Sequence, residues 1–162
     1  MESDLKKVIY PGTFAPIHNG HLDIAKRGSK LFDEFVFAVA VNPLKKQLFT
    51  EDERIELIKE ATSDIQNVSV LSTKKLIVDL AKEEHAIALI RGLRHVSDFE
   101  LEFQMAMMNS HLNPELSTIL MMPDEKHIHL NSKLVKEIAR LHGDIADYVP
   151  LAVHKHLKAK FN

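Results

Sequence analysis

Two histidines in a turn rich in glycine and proline are the residues best placed for chemistry. His18 and His21 lie between an apolar run at residues 8–10 and a segment with the apolar spacing of a helix. This order predicts a strand, a tight turn and a helix start, where amides without intrahelical partners favour an anion. Gly12 and Gly20 would let the backbone approach a ligand closely. The turn is a candidate phosphate site, and an ordinary turn with two surface histidines is the alternative interpretation.

The composition limits the class of protein. The 162 residues suit one domain over residues 1–162, with 45% hydrophobic and 27% charged residues, as in soluble globular chains. No stretch approaches the ~18 apolar residues of a membrane span, and Met1–Asp4 lacks the pattern of a secretory signal. The absence of cysteine excludes a disulfide framework, a thiolate nucleophile and a cysteine zinc site. We expect a cytoplasmic protein with no membrane partner, and the net charge of -2 argues against non-specific nucleic-acid binding.

Strand and helix patterns alternate along the sequence. Continuous or alternating apolar runs predict strands at residues 6–12, 34–41, 68–71, 86–90 and 118–122. Apolar residues at spacings of three and four predict helices at residues 19–31, 50–61, 76–84, 97–111, 132–141 and 149–161. Such alternation implies right-handed crossovers. The predicted fold class is therefore α/β, with a doubly wound, mainly parallel, Rossmann-like sheet of five strands.

Local signals predict where several of these helices begin and end. Thr50 with Glu53, and Ser97 with Glu100, have the spacing of capping boxes. Gly143 is expected to stop the fifth helix. The fourth helix is predicted to turn an apolar stripe inward, formed by Phe99, Phe103, Ala106 and Met107.

Four predicted loops bring cations to one edge of the sheet. These loops span residues 12–21, 42–46, 91–94 and 123–133, and each follows the carboxyl end of a predicted strand. Ligands of open α/β sheets bind at that edge. The cationic and imidazole side chains there are His18, His21, Lys45, Lys46, Arg91, Arg94 and Lys133. The pattern favours a polyanionic ligand such as a nucleotide with a second phosphate-bearing ligand, although the general preference of lysine and arginine for loops explains part of it.

Missing motifs narrow the reaction further. The sequence has no G-x-x-x-x-G-K-[ST] loop, no G-x-G-x-x-G after the first strand and no G-x-S-x-G elbow. These absences argue against P-loop kinases, dinucleotide dehydrogenases and α/β-hydrolases. His18 with His21, and His127 with His129, lack an obvious third metal ligand. Asp23 is interpreted as a solvated acid in the first turn of a helix and Glu102 as a polar residue of a helix, rather than as an acid–base pair. Phosphoryl or nucleotidyl transfer remains, since it depends on positioning and charge stabilisation rather than on a covalent nucleophile.

The motifs that are present resemble a known superfamily. Tyr10-Pro11-Gly12-Thr13-Phe14 followed by Asn19-Gly20-His21 is similar to the turn of the T/H-x-G-H nucleotidyltransferases. Three more blocks narrow the resemblance: Arg91-Gly92-Leu93-Arg94 with Asp98-Phe99-Glu100, the pair Met108-Asn109, and Leu134-Val135-Lys136-Glu137. Over residues 7–161 the chain resembles the bacterial phosphopantetheine adenylyltransferase family.

This resemblance implies a reaction and a set of site residues. The family transfers adenylate from ATP to 4′-phosphopantetheine, giving 3′-dephospho-coenzyme A and pyrophosphate by in-line displacement without a covalent intermediate. The implied catalytic residues are Thr13, His21, Lys45 and Arg94. The implied phosphopantetheine contacts are Thr13, Lys45, Leu76, Ile77, Arg91 and Asn109. The implied ATP contacts are Thr13, Phe14, His21, Gly92, Leu93, Arg94, Glu102, His127, Ile128, His129, Leu130, Asn131, Ser132 and Lys133.

The resemblance also implies partners. Mg²⁺ would bind through the ATP phosphates, with no ligand from a protein side chain. The chain would form a homohexamer built from trimers, and coenzyme A would bind as a feedback inhibitor.

Three stretches depart from the family pattern. Ala15 stands where the family usually has Asp, His18 where Thr is common, and Asn131-Ser132-Lys133 where it usually has serines or threonines. Asn131 can still cap a helix, and Lys133 can meet a phosphate as a point charge. These changes affect the expected ATP affinity more than the reaction class. Two alternatives stay open: the same chemistry on another acceptor, such as nicotinate mononucleotide or glycerol phosphate, and an inactive nucleotide-binding module.

Overall fold

A computed structural model describes residues 5–162; Met1–Asp4, on which the expectation about a secretory signal rests, lie outside the described residues. The strands are β1 (Lys7–Gly12), β2 (Glu34–Ala40), β3 (Val68–Thr73), β4 (Ala88–Gly92) and β5 (Ser117–Met121). The helices are α1 (Asn19–Gly28), α2 (Glu51–Ala61), α3 (Ile77–Glu83), α4 (Val96–Leu112), α5 (Ser132–Arg140) and α6 (Leu151–Phe161). A short 3-10 helix at Glu125–His127 lies between β5 and α5.

The sheet confirms the predicted α/β class. Its five strands are all parallel, in the order β3-β2-β1-β4-β5. The chain winds outward from β1 to β3 and then returns to the other side of β1, so the winding direction changes between β1 and β4. The β1–β2 ladder extends from Lys7↔Glu34 to Gly12↔Val39, whereas the β1–β4 pairing covers only Val8 and Ile9. Ligands of doubly wound sheets bind in the crevice at such a switch point.

Apolar side chains pack on both faces of the sheet. On one face, Tyr10, Phe35 and Phe37 pack in a cluster that includes residues of α1, α2, α5 and α6. On the other face, Ile9 and Val36 pack with α3 in a smaller cluster. This alternation along β1 and β2 is what a strand covered on both faces requires.

Helix α4 differs most from its prediction. Its N-cap is His95, whose N–H donates to Asp98 Oδ2 at 3.2 Å, so the capping box expected at Ser97 and Glu100 is wrong. The inward stripe is also wrong, because Phe99, Phe103 and Met107 are 47%, 49% and 52% exposed. The buried side chain of α4 is instead the carboxylate of Glu102. Arg91 on β4 pairs with that carboxylate. This ion pair turns the polar face of the helix inward.

The ends of the other helices follow local chemistry. Thr50 and Glu53 form the predicted capping box of α2, with reciprocal bonds of 3.2 and 2.8 Å. Helix α5 ends as expected near Gly143, whose N–H donates to Ile138 O at 2.9 Å. The left-handed residue there is His142, with φ 59°, rather than the glycine. Within residues 5–162 no helix is both long and apolar enough to cross a membrane.

Candidate active site

A cavity of about 450 Å³ opens beyond the carboxyl ends of β1 and β4, at the switch point of the sheet. We refer to it as the β1–β4 cavity. Ten of the predicted site residues line it: Thr13, Phe14, His21, Arg91, Gly92, Arg94, Glu102, His127, Asn131 and Ser132. The other predicted residues are not among its lining: Lys45, Leu76, Ile77, Leu93, Asn109, Ile128, His129, Leu130 and Lys133. The cavity therefore gathers most of the predicted ATP contacts, together with Thr13 and Arg91 of the predicted phosphopantetheine contacts. Lys45 and the other predicted phosphopantetheine contacts, Leu76, Ile77 and Asn109, are not in the lining.

The two histidines of the turn cap α1. Gly20 N–H donates to His18 Nδ1 at 3.1 Å, and His18 N–H donates to His21 Nδ1 at 3.1 Å. The two rings stack with centroids 3.6 Å apart. A Cβ on Gly20 would lie 2.9 Å from His18 Cε1, so this stacked arrangement requires glycine at position 20. Because each Nδ1 is an acceptor, each neutral ring carries its proton on Nε2.

Burial keeps both imidazoles neutral. Burial, assisted by the charges of Arg94 and His127, lowers the pKa of His18 from 6.5 to about 3. Burial, with His18, Arg94 and Arg91 nearby, lowers the pKa of His21 well below 6.5. At neutral pH, His21 therefore offers the cavity an Nε2–H donor rather than a full positive charge.

The sequence predicted that the first amides of α1 would be available to an anion, and the structure differs on this point. Asn19 N–H donates to Tyr148 O at 2.9 Å, and Gly20 N–H is held by His18. These first amides of α1 already have partners, because the 145–148 segment and the histidine cap pack against them. The imidazole and guanidinium donors that line the cavity remain available for recognition of an anion there.

Arg91 is held by a carboxylate rather than standing free. It donates from Nε and Nη2 to the two oxygens of Glu102 at 3.0 and 2.9 Å, and from Nη1 to Pro11 O at 2.7 Å. This bidentate pairing orients the guanidinium between β1, β4 and α4. Glu102, predicted as a polar residue of a helix, is thus the buried ion-pair partner of Arg91. One N–H on each of Nη1 and Nη2 is left to meet a phosphate.

Arg94 joins β4 to the start of α5. Its Nη1 donates to Leu130 O at 2.6 Å, and its Nε lies 3.6 Å from Asp98 Oδ2. At the start of α5, Asn131 caps the helix by accepting from Leu134 N–H at 2.8 Å, as the sequence predicted. Ser132 Oγ donates to Pro16 O at 2.8 Å. These contacts hold the α5 start against the histidine turn.

Asp23 was interpreted as a solvated acid, and the structure gives it a partner across the chain. Its Oδ2 accepts from Arg27 Nη2 and from Asp124 N–H, both at 2.9 Å. Arg27 also donates to Met122 O. Asp23 therefore holds the β5–α5 loop, which brings His127 to the cavity, against α1. The i,i+4 spacing of Asp23 and Arg27 was visible in the sequence, but the loop partner was not.

The loop after β2 lies apart from the cavity lining. We call residues 41–48 the Lys45 loop. Lys45 is exposed, and its N–H donates to Asn42 O at 3.1 Å in a local turn. Leu76 is the N-cap residue of α3, Ile77 is the first residue of that helix, and half-buried Asn109 lies on α4. Among the described residues, no group of three histidine or carboxylate side chains is arranged to hold a metal ion.

This arrangement suits charge stabilisation. A neutral Nε2–H donor and two arginines line one partly enclosed space. Fixed donors aimed at developing charge are what phosphoryl and nucleotidyl transfer require.

Comparison with known proteins bears on the family of this chain and on its fold. The sequence profile described as cytidylyltransferase-like matches residues 9–138. The fold is similar to the crystal structure of a protein from Vibrio parahaemolyticus described as a nicotinate-nucleotide adenylyltransferase, with a TM-score of 0.71 and 17% identity. That match covers 97% of this chain and 95% of the other.

Proposed function

This chain belongs to the cytidylyltransferase-like family of nucleotidyltransferases, and from that premise we propose that it adenylylates 4′-phosphopantetheine. ATP would be the donor, and the products would be 3′-dephospho-coenzyme A and pyrophosphate. The reaction would make the protein an enzyme of coenzyme A biosynthesis. The choice of acceptor rests on the sequence motifs, above all Arg91-Gly92-Leu93-Arg94.

The observation that carries the proposal is the neutral His21 in the β1–β4 cavity beside Arg91 and Arg94. In the proposed reaction a phosphate oxygen of the acceptor attacks the α-phosphorus of ATP, and the bond to the β-phosphate breaks. That oxygen is already anionic, so no general base is needed. His21 Nε2–H would hydrogen-bond the α-phosphoryl oxygens as their charge grows, and catalysis would rest on alignment and electrostatic stabilisation.

The remaining proposed roles divide between the two substrates. Arg94, Phe14, Glu102 and the segment 127–133 would surround ATP, with Thr13 touching phosphate. Arg91 would hold the phosphopantetheine phosphate with the N–H groups that Glu102 and Pro11 leave free. Lys45 would neutralise the α-phosphate from the neighbouring loop. Leu76, Ile77 and Asn109 would contact the pantetheine arm.

Mg²⁺ enters the proposal as a partner of the triphosphate. Asp98 and Glu102, the carboxylates that line the cavity, already accept hydrogen bonds from Arg94 N–H, His95 N–H and Arg91. That donor set suits an ion that keeps its ligands on the nucleotide. When bound, Mg²⁺ would supply neutralisation of phosphate charge.

We also propose a homo-oligomer, of the hexameric kind that the resemblance implies. Support comes from α4, where Val96, Leu101 and Met108 are exposed in addition to three residues of the predicted stripe, Phe99, Phe103 and Met107. Large exposed apolar patches mark interaction surfaces. Light scattering at several protein concentrations would measure the mass. A cytoplasmic location and feedback binding of coenzyme A belong to the same proposal.

Pyrophosphate release with ATP, Mg²⁺ and 4′-phosphopantetheine tests the proposed reaction. The wild type should turn over, and folded His21→Ala should be nearly silent. His156→Ala, which removes an exposed imidazole from α6, is the matched control and should keep wild-type turnover. Nicotinate mononucleotide and glycerol 3-phosphate, each offered with ATP and with CTP, test the other acceptors. Nucleotide binding without pyrophosphate release from any acceptor would favour an inactive binding module.

A further inference from the structure

Arg54 is a buried charge that the proposed mechanism does not use. It lies on α2 and is 3% exposed, although arginine is almost never fully buried without a partner. Among residues 5–162 no carboxylate lies within ion-pair distance of it. Its Nε–H also has no hydrogen-bond partner in that part of the chain. Burying a guanidinium in this way is costly, so its remaining contacts must matter.

Those contacts lie where two strands part. Arg54 Nη1 donates to Thr13 O at 2.9 Å and to Ala40 O at 3.0 Å. The β1–β2 ladder ends at the pair Gly12↔Val39. Thr13 and Ala40 are the next residue on each strand. One nitrogen thus bridges the β1 and β2 segments just beyond the last ladder pair, with hydrogen bonds strengthened by its charge.

The two bridged carbonyls belong to the segments on either side of the site. Thr13 begins the turn that lines the β1–β4 cavity and leads to His21. Ala40 ends β2, and the Lys45 loop follows directly. Helix α2, which carries Arg54, is itself anchored by the Thr50 cap and by Lys160 Nζ, 2.9 Å from Glu53 Oε1. Arg54 is therefore a fixed link between the cavity and the loop.

We propose that Arg54 is a positioning residue, which holds the Thr13 turn and the Lys45 loop at the separation that nucleotidyl transfer requires. The inference rests on the proposed function, because it gives Lys45 a part in the reaction. Arg54 touches neither substrate in this proposal and acts through Thr13 and the Lys45 loop. Small misplacements of catalytic groups are enough to slow a reaction strongly.

Steady-state kinetics of pyrophosphate release test the inference. Arg54→Met, which keeps side-chain bulk and removes both hydrogen bonds, should lower kcat by about 10²-fold and change KM for ATP far less. Arg54→Lys keeps the charge and should lose less of kcat. Lys59→Met makes the same charge change at an exposed site of α2 and should keep wild-type kcat. An Arg54→Met protein that folds and keeps wild-type kcat would overturn the inference.

A double-mutant cycle separates positioning from general stability. On a Lys45→Ala background the effect of Arg54→Met on kcat should shrink, because both changes damage the same step. Full additivity of the two effects would contradict action through the Lys45 loop.

Amide hydrogen exchange gives a readout that does not need activity. In folded Arg54→Met, exchange should become faster at residues 13–14 and 41–45, and Lys59→Met should leave both segments unchanged. If Arg54→Met does not fold, Arg54→Lys should show faster exchange in at least one segment, and wild-type exchange and kcat in that variant would overturn the inference. Faster exchange together with an inactive wild type would refute the proposed function and leave the link through Arg54 standing.

Discussion

The β1–β4 cavity and the Lys45 loop lie at the same edge of the sheet, yet they are built differently. In the cavity, His18 is held to His21 by a hydrogen bond and by ring stacking, and Arg91 is held to Glu102 by two hydrogen bonds. In the loop, Lys45 is exposed and a local turn on Asn42 supports it. The difference indicates that preorganisation is concentrated where the α-phosphate of ATP is proposed to lie. The second substrate would meet groups that are placed less rigidly.

The strongest test of the cavity side is His21→Ala. We expect turnover to fall by ~10²–10³ or more, as when an oxyanion donor is lost. The fold should survive, since the change removes one cap acceptor. His21→Asn offers a matched variant that can still accept from His18 N–H and lacks Nε2–H. Equal loss of turnover in two folded variants would assign the effect to the donor, whereas unfolding of both would make His21 a structural histidine.

Lys45→Ala tests the loop side. We expect turnover to fall by about 10–10²-fold, because a charge that is proposed to neutralise the α-phosphate in the transition state is lost. The free energy of unfolding should change by less than ~0.5 kcal/mol, as for other exposed residues. Lys46→Ala is the control for a neighbouring exposed lysine. Equal turnover in the two variants would mean that the loop contributes only general positive charge. The positioned donors would then all lie in the β1–β4 cavity.

The histidine cap should make stability depend on pH. With its pKa at about 3, His18 stays unprotonated in the native state below pH 6.5, where the unfolded chain takes up a proton. The contribution of His18 to the free energy of unfolding is therefore fully present above pH 6.5 and is lost as the pH drops toward 3. At pH 5 the loss from this residue is about 2 kcal/mol. The lowered pKa of His21 acts in the same direction.

Urea unfolding between pH 5 and 8 measures this effect. His18→Asn keeps a capping side chain and cannot titrate. In this variant the slope of the unfolding free energy against pH should therefore report about one proton fewer taken up on unfolding at pH 5. An unchanged slope in that variant would mean that other groups control the acid response.

Glu102→Gln should give the smallest of these effects. Glu102 is 8% exposed and forms an ion pair with the partly exposed Arg91. We expect about 1–2 kcal/mol of destabilisation, since a charged partner is lost in a partly solvated place. Glu56→Gln breaks the exposed pair with Lys59 and should cost less than ~0.5 kcal/mol. Equal losses of unfolding free energy in the two variants would show that the Arg91–Glu102 pair stabilises the fold no more than a surface ion pair does.

The helix starts show how far local signals reach. The Thr50–Glu53 box involves residues three apart, and the structure confirms it. The expected start of α4 was wrong, because Asp98 binds the N–H groups of Arg94 and His95 before Ser97. Which of two overlapping signals caps a helix depends on how the preceding strand delivers the chain, and β4 runs two residues further than predicted, to Gly92.

The sequence alone determined the alternation of strands and helices, the parallel sheet and the edge at which the cations gather, because these depend on periodicity and on neighbours along the chain. Tertiary structure decided which groups meet. Arg91 reaches Pro11 across 80 positions, and Arg54 reaches Thr13 across 41. It also decided that α4 exposes Phe99 and Phe103 and buries Glu102. Burial of a carboxylate is favourable only where a distant arginine is already held, and no pattern within one helix contains that information.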